Sequence, residues 1–107
     1  MTDERRASPR HAASLAGELE TAEGKSAIAL TRDVSATGLA MFTRLRLKVG
    51  DPVKLLVLWN DEQVTLHGTV VREESLDPHE STLWRSRVAI AIDPNDPVLA
   101  KIVGALG

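Results

Sequence analysis

The sequence predicts an all-β chain, an antiparallel sandwich or barrel closed by a short C-terminal helix. Short segments alternate apolar and polar residues with period two, turn residues punctuate them at regular spacing, and only the C-terminal stretch repeats at helical spacing. At 107 residues there is room for one domain around one core and none for a second. Hydrophobic residues make up 43% and charged residues 26%, the balance of a folded soluble domain rather than a disordered chain.

Residues 1–11 are polar, contain Pro9 and lack an apolar period, so they are expected to form a flexible N-terminal arm, with the domain proper over 12–107. Ala13, Leu15, Gly17 and Leu19 then alternate with Ser14, Ala16, Glu18 and Glu20, the pattern of a half-buried strand. Thr21-Ala22-Glu23-Gly24 reads as a hairpin turn, and Lys25 to Arg32 as the returning strand, with Ile28 and Leu30 on one face. Asp33 to Thr37 is expected to interrupt it. From Gly38 to Leu47 alternation resumes, Leu39, Met41, Leu45 and Leu47 facing one way and Phe42, Arg44 and Arg46 the other.

Val49-Gly50-Asp51-Pro52 is a turn, because proline presets φ and glycine frees it. Val53 to Trp59 is apolar on both parities apart from Lys54, which predicts a strand covered on both sides or the most enclosed strand of a barrel. After a turn at Asn60-Asp61-Glu62, Val64, Leu66, Gly68 and Val70 form the next inner face, and Glu73 to Thr82 reads as a polar hairpin tip. Trp84, Ser86, Val88, Ile90 and Ile92 make the last strand's inner row, with Arg85 and Arg87 outward. Asp96 suits a helix N-cap and Pro97 the first helical position, followed by Leu99, Ile102, Val103 and Leu106 on one face. Val34, Leu39, Trp59 and Trp84 are assigned to core packing.

Composition narrows the chemistry. No cysteine is present, which excludes a disulfide framework or thiolate metal site and fits a reducing compartment. The N-terminus leads into no apolar signal region and the longest apolar run, Leu55 to Trp59, is too short for a bilayer, so a cytoplasmic protein without membrane association is expected. His11, His67 and His79 are spread over an arm, a strand and a loop without metal-ligand spacing, and no phosphate loop, nucleophile elbow or dinucleotide fingerprint occurs. A binding module is therefore expected rather than an enzyme, with no metal and no cofactor. A net charge of -2 and only three aromatic residues, Phe42, Trp59 and Trp84, disfavour a nucleic-acid partner. Any anion site must be local, and Arg5, Arg6 and Arg10, opposed only by Asp3 and Glu4, supply one candidate.

The second candidate is Asp33-Val34-Ser35-Ala36-Thr37-Gly38. In a strand, Asp33 and Ser35 project from the same side, one with a carboxylate and one with a hydroxyl. Gly38 offers either a positive φ or room for close backbone approach. Alone, the stretch favours a plain loop in which Asp33 or Ser35 bonds its own backbone. Arg6-x-x-x-Arg10 followed, one hairpin later, by Asp33-x-Ser35-x-x-Gly38 resembles the paired signature of PilZ domains, which bind the bacterial second messenger cyclic di-GMP. The resemblance continues through Val49-Gly50-Asp51, Gly68 to Arg72 and Val88 to Ile92, nearly the whole chain. It departs at His11, where the family more often has an aliphatic residue, and at Ala89, where glycine is frequent.

The resemblance implies a small six-stranded antiparallel β-barrel with a C-terminal helix, and cyclic di-GMP as ligand. Guanidinium forks bond phosphate oxygens, donate to guanine O6 and N7, and stack on purine faces, tasks suited to Arg6 and Arg10. Asp33 can accept from guanine N1–H and N2–H together, Ser35 can bond a phosphate or base edge, and Gly38 lets backbone approach the ligand. The residue before R-x-x-x-R, here Arg5, is implied to influence whether one nucleotide or a stacked pair binds, and its guanidinium favours the pair. The expected function is a stand-alone receptor whose arm orders on the nucleotide and whose altered surface signals to a protein partner; the alternative is a ligand-independent interaction module. Arg44 with Arg46, and Arg85 with Arg87, are assigned to solvated faces.

Overall fold

The alternating segments form seven strands and one helix in a computed structural model that describes residues 11–79, 83–93 and 95–106. The elements are β1 (His11–Ala12), β2 (Ala16–Thr21), β3 (Ser26–Ser35), β4 (Gly38–Thr43), β5 (Pro52–Trp59), β6 (Glu62–Ser75), β7 (Ser86–Ile92) and α1 (Pro97–Leu106). All pairings are antiparallel. They run β3-β2-β5-β6-β7-β4, and β4 returns to pair with β3, so six strands close a barrel while β1 adds to β3 from outside the ring.

Period-two alternation fixes which side chains enter the barrel. Leu19 of β2, Met41 of β4, Leu55 and Val57 of β5, Leu66 and Val70 of β6, and Val88 and Ile90 of β7 are buried together. From β3 the core takes the small Ala29 and Thr31 and then Val34, while Ile28, half exposed, lies on the outer face it shares with Leu30. The apolar run of β5 divides the same way. Val53, Leu55 and Val57 point in, whereas Leu58 is 60% exposed, so no described residue covers its outer face fully.

The turns follow their residues. Gly24 takes φ 91° after Thr21-Ala22-Glu23, and Gly50 takes φ 99° before Pro52. Asn60 (φ 55°) and Asp61 (φ 65°) form a two-residue hairpin whose left-handed pair these residue types tolerate. At the C-terminus the Asp96 carboxylate accepts from the amides of Val98 (2.8 Å) and Leu99 (3.2 Å), capping α1, and Pro97 opens the helix without wasting a donor. Leu99 and Ile102 are completely buried against β6 and β3, each contributing about 1.5–3 kcal/mol by removal from water. The helix thereby joins the barrel's hydrophobic core.

Four local expectations are corrected. β3 does not stop at Arg32 but runs to Ser35, because a bulge absorbs Arg32 between the Thr31–Met41 and Asp33–Ala40 pairs and the ladder resumes beyond it. β4 ends at Thr43, so Arg44 and Arg46 belong to an irregular segment rather than a strand face. β6 extends to Ser75, into what reads from the sequence as a loop. Trp84 does not join the core as Trp59 does; it stacks on the outer-face ring of Phe42, centroids 6.1 Å apart and planes inclined by 23°.

Candidate functional site

The Asp33-to-Gly38 stretch is a hairpin. Ser35 pairs with Gly38 across a two-residue turn, Ala36-Thr37, and Val34 pairs with Leu39. Strand alternation sends Val34 and Leu39 into the core and leaves Asp33 and Ser35, both half-buried, on the outside. The turn is tied at its tip, where the Thr37 carbonyl accepts the Ile92 amide at 2.9 Å, so the hairpin is fastened to the end of β7.

Gly38 has no positive φ. A Cβ there would fall well under 3.0 Å from the Ile90 carbonyl oxygen, with the Ile90 carbonyl carbon at 3.2 Å and the Ala91 Cα at 3.3 Å. Its missing side chain thus admits the backbone of β7. The Ser35 hydroxyl engages its own turn: it accepts the Thr37 amide at 3.3 Å, lies 3.3 Å from Thr37 Oγ1 and donates to the Gly38 carbonyl at 3.4 Å. All three are long beside the ~2.7–2.8 Å of a good hydroxyl bond, so exchanging them for a stronger partner costs little.

Next to the hairpin the outer face sinks into a trough of about 240 Å³. Gly38 and Ala40 of β4 and Ala89 and Ala91 of β7 pave it with small side chains, Asp33, Ser35 and Thr37 rim one side, and Val71 rims another. Val71 faces outward by the alternation that turns Val70 in, and it is the residue passed over where the β6–β7 register shifts between Val70 and Arg72. Two larger concavities, of about 400 and 380 Å³, flank the Thr21–Gly24 turn, but neither contains a motif residue.

The two residues that follow the other half of the motif pair in sequence form β1. His11 pairs with Val34 and Ala12 with Asp33, so the chain immediately after Arg10 is hydrogen-bonded to the strand that carries Asp33 and Ser35. Thr31, 1% exposed, anchors this entry. Its Oγ1 accepts the Leu15 amide at 2.7 Å and donates to the Ala13 carbonyl at 2.6 Å, while the Ala13 amide donates to the Arg32 carbonyl. Arg5, Arg6 and Arg10, expected as ligand contacts, lie outside the described residues, as does the rest of the expected arm except His11. The structure therefore brings Asp33, Ser35 and Gly38 together and pairs His11 and Ala12 with the strand that carries Asp33 and Ser35.

A family model for the PilZ domain matches residues 4–105. The chain belongs to the PilZ domain family. Among solved structures, this PilZ domain is similar to the PilZ domain with c-di-GMP of YcgR from Escherichia coli, with TM-score 0.73 and 15% identity over 95% of this chain and 91% of that one. It is also similar to the MrkH–c-di-GMP complex of K. pneumonia (TM-score 0.70, 15% identity) and the inhibitor of motility MotI/DgrA of Bacillus subtilis (TM-score 0.68, 20% identity). It covers about half of each of those two chains, 52% and 47%, against 95% of its own length in both cases. No curated protein matches it in sequence.

Sequence reasoning missed Thr37, Ala40, Ala91 and Val71 as lining of this PilZ trough. Alanines at every second position, 40 on one strand and 89 and 91 on another, were the available signal, because they leave an outer sheet face without bulk. Val71 is outward by parity beside the inward Val70, but nothing in the sequence set it beside the motif. Among the described residues no group of carboxylates or histidines could hold a metal ion, and no helix is long and apolar enough to cross a membrane.

Proposed function

We propose that this PilZ domain is a cyclic di-GMP receptor that closes its N-terminal arm over the nucleotide and presents the resulting surface to a protein partner. The observation that carries the reading is the register of β1 on β3. His11 opposite Val34 and Ala12 opposite Asp33 seat the residues that directly follow Arg6-x-x-x-Arg10 in sequence on the strand that carries Asp33 and Ser35. The trough supports it further. At about 240 Å³ it falls below the ~300–1,000 Å³ of pockets that enclose a ligand by themselves, so a nucleotide seated on it needs a second wall.

In this reading the second wall is the arm. Asp33 accepts from a guanine Watson–Crick edge, Ser35 exchanges its long intra-turn bonds for a phosphate or base contact, and Arg6 and Arg10 hold phosphate and the Hoogsteen edge. Arg5 adds the guanidinium that favours a stacked pair of nucleotides. Gly38 serves indirectly, by letting β4 and β7 approach closely enough to form the trough floor. The work is recognition, not catalysis: ordering the arm offsets part of the contact energy and changes the exposed surface, which couples ligand to partner.

Isothermal titration of the intact chain with cyclic di-GMP tests the proposal. Saturable binding is expected, with Arg10→Ala and Asp33→Ala each weakening it by about one to two orders of magnitude, the loss of one charge-assisted contact at about 1.5–3 kcal/mol. No binding, or binding unaffected by both substitutions, overturns it and leaves a ligand-independent interaction module. The stoichiometry distinguishes one nucleotide from two, and Arg5→Ala is expected to shift it toward one.

A further inference from the structure

The outer face of β4 does not end at Ala40. The next outward residue of β4 is Phe42, about 6.8 Å further along the strand and just past the residues that line the trough. Arg32 lies over this ring, with Cζ 5.8 Å from the centroid, and Trp84 stacks on it. Asp33 shares that face with Arg32 because of the bulge. Regular alternation after the inward Thr31 would send Arg32 out and Asp33 in; the extra residue puts both on the outer face, Arg32 exposed and Asp33 half-buried. One backbone irregularity therefore sets a carboxylate that lines the trough and a guanidinium side by side on the outer face.

The charge is also uncommitted. Arg87, opposite Phe42 on β7, is paired with Glu74, its Nε 3.0 Å from Glu74 Oε1. Arg32 has no ion-pair partner among the described residues, and its guanidinium rests on an aromatic face instead. A guanidinium plane held over one ring offers its other face to a second planar group, and a purine is such a group.

We propose that Arg32, held by the Phe42–Trp84 pair, is a further ligand-binding residue that stacks on a guanine of the bound nucleotide, next to the Asp33 that reads the edge of a base. This rests on the reading of the trough as a cyclic di-GMP site and deepens it: the described surface alone then offers both edge recognition and a stacking plane, and the ligand is specified as a purine nucleotide and not merely a phosphodiester.

The test is titration of cyclic di-GMP into the wild type, Arg32→Ala and Arg32→Lys, each checked by thermal melting. Arg32 is exposed, so both variants are expected to fold. Arg32→Ala is expected to raise Kd about tenfold, and Arg32→Lys, which keeps the charge but loses the plane, to recover only a small part of that. Phe42→Leu, which removes the support, is expected to weaken binding in the wild type and to have little further effect in Arg32→Ala, since the two act together. If the wild type binds and Arg32→Ala binds within about twofold of it, this inference falls while the receptor reading stands. Full rescue by lysine also overturns it, assigning Arg32 to charge alone. If the wild type does not bind, both fall.

Discussion

Gly38→Ala adds a single methyl group at the seam of the barrel, and its consequence can be worked out from the strands on either side. The new Cβ would overlap the Ile90 carbonyl oxygen, and its other near neighbours, the Ile90 carbonyl carbon and the Ala91 Cα, are backbone too. No side chain can rotate to relieve the clash. β4 and β7 must separate where Gly38 pairs with Ala91 and Leu39 with Ile90, lifting Ile90 from the core. Overpacking costs about 1–3 kcal/mol, and with a rigid neighbour we expect the upper end, about 3 kcal/mol. In a domain of this size that lowers the melting temperature by about 12–24 °C. Differential scanning calorimetry measures it, with Gly104→Ala as control, because a Cβ at Gly104 meets nothing within 4 Å and alanine favours a helix by about 0.5–1 kcal/mol. A Gly38→Ala melt within about 4 °C of the wild type, the range of an ordinary surface substitution, would refute the packing argument and return Gly38 to a direct role at the ligand.

Thr31→Val leaves the Leu15 amide and the Ala13 carbonyl without their Oγ1 partner; denaturant unfolding should show a loss of about 1–3 kcal/mol, largely restored by Thr31→Ser. Asp96→Ala removes the cap from α1 and should cost about 1 kcal/mol, with faster amide exchange at Val98 and Leu99. Lys54→Ala breaks a solvent-exposed pair with Glu20, and urea unfolding should register no more than about 0.5 kcal/mol.

The barrel was legible because inward residues recur at alternate positions in β2, β4, β5, β6 and β7, and because Gly24, Gly50 and Asn60-Asp61 mark their turns by conformational need. The helix was legible from Asp96, Pro97 and the apolar spacing of Leu99 and Ile102. What escaped was produced by departures from regular pairing. The bulge at Arg32 carries β3 three residues beyond its expected end, and past the shift after Val70 the β6–β7 ladder runs on to Ser75; neither leaves a glycine or proline to announce it. Trp84 was misassigned for a related reason. Its parity matches that of Ser86 and Val88, but it precedes β7, outside the regular ladder, and Phe42 on the outer face offers its ring a partner. In the site, the motif residues stood out by chemical type, whereas the alanine floor that makes room beside them is defined by what it lacks.

The way β3 is shared between two neighbours gives the molecule a built-in reporter. Up to Leu30 the strand is paired with β2 of the ring, and from Asp33 it is paired with β1, the root of the arm. The amides of Ala13 and Leu15, bonded to the Arg32 carbonyl and Thr31 Oγ1, are shielded only while that root stays seated, whereas those between β2 and β5 are released only when the ring itself opens. Hydrogen exchange at these two amides therefore times the unseating of β1 separately from unfolding of the barrel, and slowing at them alone on adding cyclic di-GMP is the kinetic signature that the proposed closure of the arm predicts.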